Sequence, residues 1–145
     1  MANDVPGSTS DLSWLLADLM RRVPHTRCAL LASSDGLRRY HHGLEADEAD
    51  ALAAWAAAQC SLARNGGQRF GAGGGVRQVV AEFDDVIFFV SAAGPGAVLV
   101  VLATPEADAA VLGYEIAQLV KRVPSHLTTA TRQPAAARSS GELGR

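Results

Sequence analysis

The alanine-rich run at residues 51–63, ALAAWAAAQCSLA, contains two polar side chains, Gln59 and Ser61. Alanine is the best helix former among the amino acids, and acidic residues just upstream suit the N-terminus of a helix; these acids are Glu45, Asp47, Glu48 and Asp50. The run therefore predicts a helix that is apolar nearly all round, and such a helix is normally buried on more than one side. A chain of 145 residues has few elements with which to cover both sides. We expect its own sheet to cover one face and another protein to cover the other.

The two faces of this helix differ in side-chain size. At roughly 100° per residue, one face carries Leu52, Trp55, Gln59 and Leu62, and the other carries Ala53, Ala54, Ala57, Cys60 and Ser61. The bulky face can fill a core, whereas the small face would let a second helix approach closely. Because alanine is only weakly apolar, the alternative is an ordinary surface helix with one buried face.

Composition and charge favour a single globular domain. Hydrophobic residues make up 48% of the chain and charged residues 19%, as in soluble domains. The net charge of −2 offers no basic footprint for nucleic acid. The apolar runs are too short to span a bilayer, and the N-terminal residues do not have the pattern of a signal peptide. Cys28 and Cys60 suggest buried thiols in a reducing cytosol rather than a disulfide framework.

The first half of the chain predicts a helix, a hairpin and a second helix. Leu12 to Val23 follow the spacing of one helical face, with Ser10 or Asp11 as the cap and Pro24 as the stop. Strands are predicted at Arg27–Ser33 and Leu37–His42, around a turn at Ser34-Asp35-Gly36. The alanine-rich helix is predicted over Glu45–Arg64, ending at Asn65-Gly66-Gly67.

The second half predicts three antiparallel strands and a final helix. The strands are Val76–Phe83, Val86–Ala92 and Val98–Ala103, joined by tight turns. The last strand is apolar on both faces and should be central, whereas Val76–Phe83 carries charged residues and should lie at an edge. Thr104 as N-cap and Pro105 at the first position predict where the final helix begins. Residues 1–9 and 129–145 have no apolar period and are predicted to be disordered.

No residues carry the pattern of a catalytic, cofactor or metal site. The cluster Gly71-Ala72-Gly73-Gly74-Gly75 lacks the Lys-Ser or Lys-Thr of a phosphate loop, and a helix precedes it where a strand is needed. It is expected to be a connector or a place where another backbone comes close. The histidines, at positions 25, 41, 42 and 126, have no metal-ligand spacing. Cys28 lies in an apolar strand, where a thiol is usually inert. We therefore predict no enzyme, no cofactor and no metal.

The edge strand and the small helix face together predict a homodimer. An edge strand presents unpaired N–H and C=O groups, and two copies that meet there can pair their sheets and pack their helices about one two-fold axis. The predicted interface consists of Ala53, Ala54, Ala57, Cys60, Ser61, Val76, Arg77, Gln78, Val79, Val80 and Ala81.

The element order and several local stretches resemble the roadblock/LC7 family, whose fold is profilin-like. The stretches are LSWLLADLMRRVP, ALLASSDGL, QCSLARNGG, FGAGGGVRQVVAEF and GYEIAQLVKRV, and they look like the roadblock proteins of actinobacterial conservon operons. Ser33–Leu37 and Phe70–Gln78 carry the most specific part of the resemblance. It covers residues 10–128. The fold class it implies is α+β, a five-stranded antiparallel sheet flanked by three helices in the order α-β-β-α-β-β-β-α.

The resemblance implies a function without catalytic residues. It implies a homodimer formed through the second helix and the third strand, which regulates or scaffolds a small Ras-like GTPase. In bacterial polarity systems a roadblock dimer acts as the GTPase-activating partner, and conservon operons also encode a membrane sensor-kinase-like protein. We expect a cytoplasmic protein that such a partner could recruit to the membrane. The alternative is a small-ligand sensor domain, because profilin-like folds can hold a pocket between sheet and helix.

Overall fold

The computed structural model describes residues 12–71, 73 and 75–123. The helices and strands up to residue 103 are α1 (Ser13–Arg22), β1 (Thr26–Ser33), β2 (Arg38–His42), α2 (Ala46–Arg69), β3 (Gln78–Glu82), β4 (Ile87–Ala92) and β5 (Ala97–Ala103). A third helix, α3, follows, and its described part covers residues 109–123. This order confirms the predicted one. The predicted caps Ser10 and Asp11 and the segments 1–9 and 129–145 lie outside the described residues.

The five strands form one antiparallel sheet in the order β2-β1-β5-β4-β3. β5 is central, as its apolar sequence predicts, and six of its seven residues are buried. β3 lies at an edge, which is also as predicted. No helix within the described part of the chain has the length and apolar character needed to cross a membrane.

Helices cover both faces of the sheet and create two separate cores. Because successive strand residues point to opposite faces, Leu99 and Val101 of β5 pack with α1 and α3, whereas Val98 and Val100 pack with α2. The core under α1 and α3 is built largely from leucine, including Leu15, Leu16, Leu19, Leu112 and Leu119. α2 alone covers the other face, so parts of that face remain open.

The predicted end of α2 at Asn65-Gly66-Gly67 is wrong, because the helix continues to Arg69. Glycine lowers helix stability by about 1 kcal/mol per residue relative to alanine, but it permits helical dihedral angles and so does not force a stop. The C-cap residue is Phe70, and its N–H donates to the carbonyls of Gly66 and Gly67, at 3.1 and 3.2 Å. Gly71 then takes the left-handed conformation, with φ of +93°.

The predicted N-cap of α3 at Thr104 is also wrong, because the helix begins at residue 109. The Thr104 N–H donates to the carbonyl of His25 at 2.9 Å, so this residue continues the pairing of β5 with the start of β1. Asp108 is the cap instead. Its Oδ1 accepts hydrogen bonds from the N–H groups of Ala110 and Val111, at 3.0 and 3.2 Å.

Gly43, between β2 and α2, lies close against the backbone at the start of β1. A Cβ added here would lie 2.7 Å from the carbonyl oxygen of Arg27 and 3.1 Å from the Cα of Cys28, and φ is +91°. Both the contact and the dihedral angle therefore require glycine at this position.

Candidate interaction surface

The outward face of α2 is made of small residues, but not the set that the sequence predicts. The helix packs on the sheet through Ala49, Leu52, Ala53, Ala56 and Cys60. Ala53 is 0% and Cys60 4% exposed, so these two predicted interface residues lie in the core of their own chain and are not available to a second copy. Ala54 and Ser61 are exposed and Ala57 is half-buried. These three remain candidates for contact with another chain.

The bulky residues of α2 do not form its core face either. Leu52 is buried, but Trp55 and Gln59 are half-buried at the side of the helix, and Leu62 is 65% exposed. Branched residues from the strands, including Leu30, Val98 and Val100, already fill the space beneath α2. α2 therefore packs on the sheet mainly through alanine and cysteine side chains, and the larger side chain of Leu62 points toward solvent.

The β3 edge exposes backbone hydrogen-bonding groups at alternate residues. The carbonyl of Arg77 accepts a hydrogen bond from the N–H of Ala92, and the N–H of Phe83 donates to the carbonyl of Val86. The odd-numbered residues of this segment therefore direct their backbone N–H and C=O groups toward β4. In an antiparallel pair the intervening residues point their N–H and C=O groups the other way. Gln78, Val80 and Glu82 therefore direct these groups away from the sheet.

The predicted strand residues of the interface lie along this edge. Gln78–Ala81 belong to β3, and Val76 and Arg77 directly precede it. Val79 packs toward α2, beside Val90, whereas Val80 is paired with Phe89 on the opposite face of the sheet and is 50% exposed. The last turns of α2 approach the start of this segment across a shallow hollow of about 230 Å³, lined by Ala63, Gly67, Val76 and Gln78 among others. We call the outward side of α2 and the β3 edge together the α2–β3 surface.

The other edge of the sheet is protected against pairing. β2 carries Arg38 and Arg39, and it pairs with β1 through an irregular register, whereas the register of β3 with β4 is regular. Arg38 donates to Asp50 of α2 at 2.6 Å. Charged and irregular edge strands discourage the addition of another strand. β3 is therefore the better of the two edges for pairing.

Sequence reasoning missed three large apolar residues near this surface. The helical spacing places Leu62 on the bulky core-filling face, and no pattern singles out Phe70 or Phe83, yet Phe70 is 84% and Phe83 52% exposed. Both phenylalanines directly precede a turn, at Gly71 and at Asp84-Asp85. An aromatic side chain at a turn has few neighbours of its own chain to cover it, and that is the signal that could have identified them.

The described residues offer no arrangement that points to catalysis. Burial raises the pKa of both the Cys28 and the Cys60 thiol, so neither is a thiolate at neutral pH. Within residues 12–71, 73 and 75–123, no three His, Cys, Asp or Glu side chains are grouped so that they could hold a metal ion. In the glycine cluster, a Cβ added at Gly71, Gly73 or Gly75 would meet no atom within 4 Å. Among the described residues, no backbone therefore comes close to these three glycines, although such an approach is one of the two alternatives expected for this cluster.

Comparisons with known proteins identify the domain. The model of the Roadblock/LC7 domain family matches residues 12–103. A crystal structure of a Roadblock/LC7 domain from Streptomyces avermitilis has a TM-score of 0.80 and 57% sequence identity, covering 82% of this chain and 99% of that one. No curated protein sequence matches significantly.

More distant structures share the fold. A structure described as MglB with tetrameric arrangement has a TM-score of 0.75 and 17% identity, covering 84% of this chain and 92% of that one. The gliding protein MglB from Thermus thermophilus has a TM-score of 0.73 and 18% identity, covering 84% of this chain and 93% of that one. At these identities the likeness concerns the fold alone.

Proposed function

This chain belongs to the Roadblock/LC7 domain family, and from that premise we propose that it is a non-catalytic homodimeric regulator or scaffold that binds a small Ras-like GTPase in a bacterial signalling complex. The observation that carries the proposal is the unpaired β3 edge, which lies beside an outward α2 face of small residues. Both features need a partner, and one two-fold interface would cover both.

The sequence of β3 suits pairing with a second copy of itself. Antiparallel pairing centred on Val80 would place the backbone of Gln78 opposite that of Glu82 in the second copy, and Val80 opposite Val80. No two carboxylates would then face each other directly, and like charges directly opposite destabilise a sheet. The exposed Ala54 and Ser61 of α2 would allow the two helices to approach closely.

The comparisons support self-association as a property of related folds. The MglB structure described above has a tetrameric arrangement, so that protein assembles from several copies. We extend self-association to this chain because of its free strand edge, and not because of the fold likeness alone.

The GTPase partner is inferred from the family resemblance of the sequence. The stretches that resemble conservon roadblock proteins imply a partnership with the GTPase encoded beside them. A pair of antiparallel α2 helices would offer that partner a broad, weakly polar platform. We place the complex in the cytoplasm, where a membrane sensor-kinase-like protein could recruit it to the membrane.

The proposal is tested by mixing the purified full chain with the Ras-like GTPase encoded in the same operon. The GTPase is loaded with GDP or with a non-hydrolysable GTP analogue, and affinity is measured by isothermal titration calorimetry. We expect affinity to depend on the nucleotide. If the affinity is the same in both states and the rate of GTP hydrolysis is unchanged, the regulatory role is refuted.

A further inference from the structure

An open apolar pocket lies on the α2 face of the sheet, beside the N-terminal half of that helix. It encloses about 510 Å³, and its apolar walls are Leu44, Leu52, Trp55, Phe88 and Leu102. Its floor is formed where the start of β1, the end of β5 and the start of β4 lie side by side, through Cys28, Leu102 and Phe88. We call this site the α2 pocket.

A row of aromatic rings extends the pocket toward the β3–β4 turn. Trp55 and Phe88 meet edge to face, with ring centroids 4.8 Å apart, and Phe83 meets Phe88 in the same way at 5.5 Å. Edge-to-face packing is a favourable arrangement for a pair of aromatic rings. The pocket therefore has one preformed aromatic wall, whose outer member, Phe83, is 52% exposed.

The surroundings of the pocket are mainly acidic. Glu48 lines it, Glu45 and Asp47 lie beside Glu48 at the start of α2, and Asp84 and Asp85 form the turn next to Phe83. None of these five carboxylates is ion-paired with another described residue. Arg27 is the basic residue among those that line the pocket. The carboxylates attract a positively charged partner and repel an acidic one.

The pocket is independent of the edge at which a second copy would pair. None of its lining residues belongs to β3, and β4 separates β3 from β5 in the sheet. The α2 residues proposed to contact the second copy, Ala54 and Ser61, do not line the pocket either. Pairing through β3 and through these two residues would therefore leave one open α2 pocket in each copy.

We propose that the α2 pocket receives a bulky apolar side chain of the GTPase, presented on a segment whose lysine or arginine residues face the acidic surroundings. The identity of the partner rests on the proposed function, whereas the chemistry of the segment follows from the pocket. A small-molecule site normally encloses most of its ligand's surface, whereas this pocket is open to solvent. Here the charged lining groups are Arg27 and Glu48, and the remaining walls are almost wholly apolar. A protein side chain, anchored elsewhere by its own backbone, fits such walls better than a free metabolite.

The test fills the pocket without disturbing the core. Ala51 is exposed and lines the pocket, whereas Ala110 is exposed in the first turn of α3, on the other face of the sheet, and does not line it. Ala51→Trp should lower the affinity for the GTPase by about tenfold or more, as expected when a central apolar anchor is displaced. Ala110→Trp, the matched control, should change it by less than about twofold. Thermal melting and light scattering verify that both variants keep the fold and assembly of the wild type.

A second variant tests the charge. Glu48→Gln should weaken GTPase binding by about threefold and reduce its dependence on salt, because an exposed carboxylate acts mainly through long-range attraction. Equal affinity and equal salt dependence in this variant and the wild type would contradict a basic partner segment.

The outcomes separate this inference from the proposed function. If the wild type does not bind the GTPase in either nucleotide state, both fail. If the wild type binds and Ala51→Trp binds equally well, the pocket assignment alone fails.

A separate experiment uses the fluorescent probe anilinonaphthalene sulfonate. Tight binding of this probe that Ala51→Trp abolishes, with GTPase affinity unchanged, would assign the pocket to a small apolar ligand and overturn the proposal.

Discussion

Replacement of Val80 by proline should weaken self-association strongly and leave the fold of the monomer intact. The ladder with β4 is made by the odd-numbered residues of this segment, as the bonds of Arg77 and Phe83 show. The N–H of Val80 therefore points away from the sheet, and proline removes a donor that the monomer does not use. Proline is tolerated on edge strands when its missing N–H would face outward.

The expected loss of dimer affinity follows from the geometry of the edge. Two-fold antiparallel pairing centred on Val80 would form about six inter-chain hydrogen bonds, two for each opposed pair among Gln78, Val80 and Glu82. Proline in both copies removes two of them and leaves two carbonyl acceptors without a partner. At about 1–3 kcal/mol for each, the total is about 2–6 kcal/mol. The dimer Kd should therefore rise by about 30-fold or more.

Light scattering and sedimentation over a range of protein concentrations measure this change. Ala81→Pro is the matched control, because the N–H of Ala81 faces β4. It should destabilise the monomer by about 1–3 kcal/mol and lower Tm by several degrees. A Val80→Pro chain that dimerises with wild-type affinity would refute pairing through β3. If Val80→Pro melted earlier than Ala81→Pro, the assignment of outward-facing residues would be wrong.

Three further predictions concern the monomer. Gly43→Ala should destabilise the fold by about 2–4 kcal/mol through left-handed strain and backbone contact, whereas Gly96→Ala, with φ of +74° and no atom within 4 Å of the added Cβ, should cost about 1 kcal/mol; equal shifts in urea denaturation would contradict the contact at Gly43. Asp108→Ala should cost about 1 kcal/mol and Asp108→Asn much less, and equal Tm values for the two variants would disprove the cap. Because burial raises the pKa of Cys28 and Cys60, maleimide labelling of the folded chain at neutral pH should be much slower than that of the urea-unfolded chain. The stability from keeping these thiols neutral is present below their unfolded pKa and is lost as pH rises through their folded pKa. Fast labelling of the folded chain would refute this burial.

The order of helices and strands could be predicted because its signals are local. The apolar spacing of Leu12 to Val23 reports a helix directly, and turn residues such as Asp84-Asp85 separate strands wherever those strands end up in the sheet. The central position of β5 was predictable as well. A strand that is apolar on both faces must be covered on both faces, and only an inner strand meets that condition fully.

Two helix ends were predicted wrongly because a local signal permits a structure without enforcing it. Gly66-Gly67 can end a helix, but α2 runs on until Phe70 closes it. Thr104 can cap a helix, but its N–H is held by the carbonyl of His25 across the sheet. In that case a bond between strands distant in sequence overrides a good local cap, and Asp108 takes its place.

By itself the sequence determined that α2 is a helix and that it is apolar nearly all round. Only the tertiary structure decided which side faces inward, because that choice depends on the surface beneath the helix. Leu30, Val98 and Val100 already fill that space, so Ala53 and Cys60 pack inward and Leu62 turns toward solvent. The order of the strands in space likewise decided which edge is free and which strand ends line the α2 pocket. The hydrophobic periodicity of a single segment cannot show which edge is free or which strand ends meet, because both depend on how separate segments pack together.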